Sequence, residues 1–492
     1  MTTQLRPDHH PHQQQRAESK PESKPEPKPE SKAGPFRTRV DWPCDPPALA
    51  VRLAGAGLVD EYAVYEQDGR WSFAGGVRAS ATVDQRMVRS VWGADGAVGS
   101  SEERGACAVE LGDAHPVSAL GEALRALPLE DWHAYGWVAF ESALPEAARH
   151  GAANAGQPLA YMFVPRLEVL IDADGFEVRC VDAGLFDRAL GVLEASDDPS
   201  GPASARPLDV EAEGPEAYQW AVSSAVRRIR LGELEKVILS RPVEVPFALD
   251  FPATYLAGRR ANTPARSFLL DLPGVRAAGF SPETVAEVSA ERWVTSQPLA
   301  GTRARYAEPA DDLRSRAELT TDPKEVYEHA VSVKLADTEL RALCAPGTVG
   351  VAEFMTLKER GSVRHLGSRV RGRLRADRTE WDALAALFPA VTASGIPKSE
   401  AYDVIADLES EPRGLYSGAV VRATSAGELD AALVLRTVYT RAGRTWLRAG
   451  AGIVAASRPE REYRETCEKL ASVAPYLVPL HADADAKAES EA

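Results

Sequence analysis

Between about Thr38 and Ser196 apolar and polar residues alternate in short runs, as in YAVYEQDGRWSFAGG, HAYGWVAFES and RLEVLIDADGFEVRCV. A period of two sends successive side chains to opposite faces of a strand, and the Asp-Gly pairs are turn signals. One segment, VSALGEALRAL, places its apolar residues three to four apart and predicts a helix. A stretch rich in Pro, Gly, Ser and Asp, residues 197–215, predicts a joint between domains or between layers of one domain. Beyond it AYQWAVSSAVRRIRLGELE predicts an amphipathic helix leading into the strand KVILSRPVEVPF. Strands follow around SFLLDL, ERWVTSQPL, ELDAALVLRTVYT and TWLRAGAGIV, and helices around KEVYEHAVSVKLADTELRAL and TEWDALAALF. Many strands with antiparallel-looking turns and scattered helices predict an α+β fold rather than a regular βαβ series.

The chain has 492 residues, 44% of them apolar, enough for two or three ordinary domains or one large core. No apolar run approaches the ~18 to 20 residues of a membrane-spanning helix, and the N-terminus is polar, so a cytoplasmic protein without membrane attachment is expected. Residues 1–35 hold PESKPEPKPESK, which cannot offset its ordering entropy by burial; its His9, His10 and His12 are read as a solvated tail before a metal site. Five cysteines without CxxC spacing suggest neither a disulfide framework nor zinc. A net charge of −15 argues against a nucleic-acid partner, and any anionic substrate must be met by placed Arg or Lys, a metal ion or helix N-termini.

Gly450-Ala-Gly452-Ile-Val-Ala455 fits the GxGxxA pattern of a dinucleotide-binding turn. That turn needs a helix starting within the glycines, whereas here β-like IVAA follows and the next helix start is Ser457-Arg-Pro-Glu460, of capping-box form. In that helix Tyr463, Cys467 and Leu470 share an apolar face, while Glu462, Glu465 and Lys469 share another. The acidic face is either solvated or part of a site. Glu325 and Glu328, beside His329, repeat the i,i+3 carboxylate pair on a second helix. Were the two helices to face each other, their oxygens would suit a hard divalent cation; periodicity alone does not bring them together.

A series of motifs resembles the chorismate-utilising enzymes, the family of anthranilate, aminodeoxychorismate, isochorismate and salicylate synthases. They are EKVILSR (235–241), GFSPE (279–283), PLAGTR (298–303), KEVYEHAVSV (324–333), GSVRHLGS (361–368), LFPAVTASGIPKSEA (387–401), RGLYSGAVV (413–421) and the glycine-to-helix stretch. The wording is most similar to salicylate synthases of siderophore pathways, the mycobacterial type above all. The resemblance implies a large layered fold, two packed antiparallel sheets with outer helices, and a division into a tail (1–35), a variable N-terminal part (36–210), a chorismate-binding catalytic core (211–482) and a second tail (483–492). It also implies a monomer.

Carried over residue by residue, the resemblance makes Glu328, Glu462 and Glu465 ligands of Mg²⁺, with Glu325 lining the same acidic site. Lys236 becomes the base that activates water and Glu283 the acid that protonates the departing ring hydroxyl, with His365 near the ring. Arg436 and Tyr416 would bind the enolpyruvyl carboxylate, a task suited to arginine's planar fork. Thr302, Thr392, Gly450, Gly452 and Lys469 would receive the rest of chorismate. Ala300 stands where aminodeoxychorismate synthases resemble PIKGTR with a nucleophilic lysine, so that activity is not expected. Lys236 favours water over ammonia chemistry, leaving isochorismate synthase and salicylate synthase, of which the wording favours the second. Gln297 departs from the acidic residue expected before PLAGTR.

Overall fold

The computed structural model describes residues 36–93, 105–146, 157–195, 204–212, 214–361 and 363–480. Two antiparallel sheets share two long bent strands. Arg70–Val83 pairs in its first half with Tyr62–Gln67 and in its second with Met87–Trp92. Ala160–Asp172, alongside it, pairs at one end with His133–Val138 and at the other with Gly175–Cys180. Their mutual register shifts between Val77 and Ala79, a bulge that bends and twists the pair so that each strand leaves one sheet and enters the other.

The first sheet continues from Tyr62–Gln67 through Arg266–Leu272, Val275–Ser281, Thr437–Arg441 and Arg444–Ile453 to Lys236–Glu244. The second runs from His133–Val138 through Ala419–Thr424, Leu429–Leu433, Thr284–Val288 and Trp293–Ser296 to Val363–Arg373, which also pairs with Leu299–Ala304 and Gly350–Arg360. The α+β layering expected from the sequence is therefore found, and strands preceding residue 197 are built into both sheets.

An apolar layer rich in aromatics, including Tyr65, Tyr135, Phe163, Phe268, Tyr416 and Tyr439, fills the space between the sheets. Helices Pro46–Gly55, Ala183–Glu194 and Phe251–Ala261 cover the outer face of the first sheet. Pro116–Arg125, Pro323–Leu343 and Glu380–Leu387 cover that of the second. No helix among the described residues is long and apolar enough to cross a membrane.

The helices expected from periodicity are present, but Pro46–Gly55, Ala183–Glu194, Phe251–Ala261, Pro309–Thr321 and Lys398–Leu408 were not expected. Three of these carry proline at their first or second position, where it is favoured, although in a sequence it reads as a breaker. The expected strand ELDAALVLRTVYT is split into Leu429–Leu433 and Thr437–Arg441, with Arg436 between them at φ +50°. The capping box at Ser457 is not formed: Arg458 is the N-cap, and the Ser457 hydroxyl instead accepts from Val454 N–H at 3.1 Å. The tail residues 1–35 and 483–492, with His9, His10 and His12, lie outside the described residues.

Gly121 allows the helix Pro116–Arg125 to approach the fully buried Trp381; a Cβ there would lie 2.2 Å from Trp381 Cγ. Gly121→Ala is expected to overpack this contact and cost about 1–3 kcal/mol, read as a lower urea midpoint at unchanged slope. An unchanged midpoint would mean that Trp381 gives way freely.

Candidate active site

Arg444–Ile453 and Lys236–Glu244 lie side by side, with Gly450 opposite Ser240 and Gly452 opposite Ile238. Both glycines sit inside a strand, far from any helix start, so the dinucleotide pattern has no structural counterpart here. Their role is close approach. A Cβ at Gly450 would lie 2.9 Å from Tyr416 Oη, and one at Gly452 would lie 2.1 Å from Glu328 Oε1. The flat patch left by the two glycines is thus covered by a phenol and a carboxylate.

The acidic helix face is not solvated. Glu462 and Glu465 on Pro459–Leu470, and Glu325 and Glu328 on Pro323–Leu343, are all buried. Each has a cation against it: Lys324 on Glu462 at 3.0 Å, Arg303 on Glu325, Lys236 on Glu328 and Lys469 on Glu465, the last three at 2.9 Å. Burial raises Glu462 to about 7, helped by the neighbouring charge of Glu465. Burial acts the same way on Glu465, but Lys469 and Lys324 outweigh it and hold that carboxyl down to about 2. The Lys324–Glu462 pair joins the two helices, which is the juxtaposition periodicity left open.

Glu462 Oε2 is buried with no hydrogen-bond partner. An all-oxygen set with one unspent carboxylate oxygen fits Mg²⁺ in charge and in kind. Among the described residues no three acidic, His or Cys side chains converge as a finished cation cage. Ammonium groups stand between the carboxylates: Lys324 Nζ is also 4.0 Å from Glu325.

Across the floor, Glu283 is buried, accepting from Leu299 N–H and from the Thr392 hydroxyl, each at 2.9 Å. Burial outweighs these bonds and raises its carboxyl to about 7, making it a proton donor near neutrality. His365 is held neutral by burial and by the nearby Arg436 charge. It donates from Nδ1 to Gly301 O at 3.0 Å, with Thr302 Oγ1 at 3.3 Å, which leaves Nε2 to accept from Arg436 Nη2. Arg436 has no carboxylate partner among the described residues and is pushed down to about 9 by burial and by Arg360. A buried guanidinium without an anion is a receptor for one.

Glu283, Thr302, Glu328, His365, Thr392, Tyr416, Arg436, Gly450, Gly452, Glu465 and Lys469 line one pocket. Lys236 adjoins it through Glu328 and donates to Ser332 Oγ at 3.2 Å, while Glu325 and Glu462 stand behind the same carboxylate wall. The space enclosed is about 70 Å³, narrowed by the lysine–glutamate pairs. Gln297 is outside it, donating to Glu287 at 3.0 Å. Sequence reasoning missed Arg448, Ile238 and Leu435, which also line the pocket. Strand alternation carried a signal for two of them: Arg448 shares a face with Gly450 and Gly452, and Ile238 shares one with Lys236.

A family profile described as chorismate binding enzyme matches residues 77–475. The chain is 45% identical over 437 residues to a salicylate synthase of Mycolicibacterium paratuberculosis, covering 88% of this chain and 94% of that one. It is 41% identical over 249 residues to anthranilate synthase component 1 of Streptomyces coelicolor, covering 50% of this chain and 48% of that one. Among solved structures, anthranilate synthase component I from Streptococcus pneumoniae superposes with a TM-score of 0.66 at 25% identity, covering 84% of this chain and 92% of that one. A putative 2,3-dihydroxybenzoate-specific isochorismate synthase from Bacillus anthracis shares the fold at a TM-score of 0.64 and 21% identity, covering 87% and 99%.

The raised Glu283 carboxyl has a consequence for stability. A carboxyl whose folded-state pKa exceeds the unfolded one contributes stability that is full below about pH 4.5 and lost as pH rises through about 7. Glu283→Gln removes this titration, so the variant is expected to gain on the parent protein as urea unfolding is repeated from acid to mildly alkaline pH. Parallel stability curves for the two proteins would show that Glu283 ionises as an ordinary carboxyl.

Proposed function

Since the chain belongs to the family of chorismate binding enzymes, we propose that it is a salicylate synthase, turning chorismate into isochorismate and then into salicylate and pyruvate with Mg²⁺ as cofactor. The observation that carries the chemistry is a buried Glu283 carboxyl in the pocket, raised to about 7, within electrostatic reach of a buried Lys236 that adjoins the pocket through Glu328. The choice of product rests on likeness to the mycobacterial salicylate synthase over 94% of its length.

In the first step water adds at ring C2 and the C4 hydroxyl leaves, which needs a base on one face and an acid on the other. Lys236 Nζ takes the proton of the attacking water; Glu283 supplies the proton on which the hydroxyl departs as water. Lys236 Nζ is paired with Glu328 at 2.9 Å, and that pair must part before Lys236 can meet the water. Arg436, oriented by His365, receives the enolpyruvyl carboxylate beside Tyr416. Thr392 keeps the Glu283 carboxyl in place, which makes it, like His365, a positioning residue. Lys469, bonded to Gly450 O at 2.8 Å, borders the substrate floor with Thr302. Glu328, Glu462 and Glu465 would hold Mg²⁺, with Glu325 bordering them. Bound there, the ion would neutralise the ring carboxylate of the substrate. Admitting a ring dicarboxylate into the narrow pocket requires the Lys236–Glu328 and Lys469–Glu465 pairs to part.

The second step expels pyruvate from isochorismate in the same pocket. It is largely pericyclic and asks for a held conformation rather than another acid or base.

Incubation with chorismate and Mg²⁺ is expected to give salicylate fluorescence and pyruvate in equal amounts. Isochorismate without pyruvate would make the protein an isochorismate synthase, and no turnover would leave a chorismate-binding protein. Glu283→Gln should lower kcat by about 10²–10⁴ with little change in KM. Glu465→Gln should abolish Mg²⁺-dependent turnover while circular dichroism stays native; retained activity would remove Glu465 from the metal site.

A further inference from the structure

A second, larger cavity of about 330 Å³ opens where the turns at Pro273–Gly274 and Ala442–Gly443 meet the loop Glu411–Leu415. Its volume lies in the range of small-molecule sites, about 300–1,000 Å³. The walls are flat and apolar: Trp137, Pro412, and the stacked rings of Tyr439 and Trp446, whose centroids are 5.5 Å apart. Trp137 Nε1 is buried without a hydrogen-bond partner.

Three arginines line the cavity, and two of them are spent. Arg413 is bound to Glu409 at 2.5 Å, and Arg444 to Glu411 and Glu244 at 2.5 Å each. Arg441 differs. It donates to Gln157 Oε1 and has no carboxylate partner among the described residues, while burial lowers its pKa. A guanidinium fork with no carboxylate paired to it, set among aromatic walls, suits a carboxylate carried on a flat ring. Glu411, also in the lining, is already paired with Arg444, so among the described lining residues Arg441 is the cation left without a carboxylate, and one negative group matches it.

We propose that this cavity binds a small aromatic monocarboxylate, with the carboxylate on Arg441 and the ring against Trp137, Tyr439 and Trp446. The site is separate from the candidate active site and backs onto it: Arg413, Gly414 and Leu415 line this cavity, and the next residue, Tyr416, lines the other. The inference does not depend on which product the active site makes.

Benzoate is the probe, titrated calorimetrically into the full-length chain. One saturable site is expected, weakened about tenfold or more by Arg441→Gln and little changed by Arg436→Gln. Benzamide, the neutral counterpart, should bind at least about tenfold more weakly than benzoate. Absence of saturable binding overturns the proposal. So does loss of binding in Arg436→Gln but not in Arg441→Gln, which would assign benzoate to the active-site pocket. Should Arg441→Gln fail to fold, crystals of the parent protein soaked in 4-bromobenzoate decide: an anomalous bromine peak between Trp137 and Trp446 supports the site, and a peak only beside Arg436, or none, removes it.

Discussion

A carboxylate taken out of water must be met by a proton or by a cation, and here four glutamates on two helices are taken out of water together. Everything around them answers that demand. Lys324, Arg303, Lys236 and Lys469 each come from a different element and each ends on one of the four. Where the cations fall short, protonation takes over, as the rise of Glu462 to about 7 shows. The same requirement explains why a chain of net charge −15 carries so much buried basic charge at one place. An anion binding there enters a field already tuned to neutrality, so its charge must be matched by adding a cation or by separating a pair that exists.

Much of this centre was legible in the sequence because its parts obey local periodicities. The i,i+3 carboxylate pairs sit on helices whose spacing is plain, and the glycines sit on a strand whose alternation is plain. What no periodicity reveals is which faces meet, and that was supplied by likeness to a family. Reading the helix Pro459–Leu470 alone, a solvated acidic face was the simpler reading; burial of Glu462 and Glu465 contradicts it.

The unread parts have physical reasons. Helices that begin on proline resemble loops, because the residue that stops a helix in its middle is welcome at its start. Arg436 lay inside what read as one continuous strand, and its left-handed backbone is set by tertiary context rather than by its residue type. The cavity at Arg441 draws on segments from Trp137 to Trp446, separated along the chain and joined only because two bent strands carry the N-terminal part into both sheets.

Gly452 shows how closely backbone shape and charge are bound together. The oxygen of Glu328 occupies space that any side chain at 452 would claim, and that same oxygen holds the ammonium of Lys236. A single methyl group on the floor of the strand would therefore act as an electrical change: it would displace a negative charge and leave a buried positive one without its counterpart. At this point in the fold, steric thickness and charge pairing are one variable, and the absence of a side chain is what leaves room for the ion pair facing it.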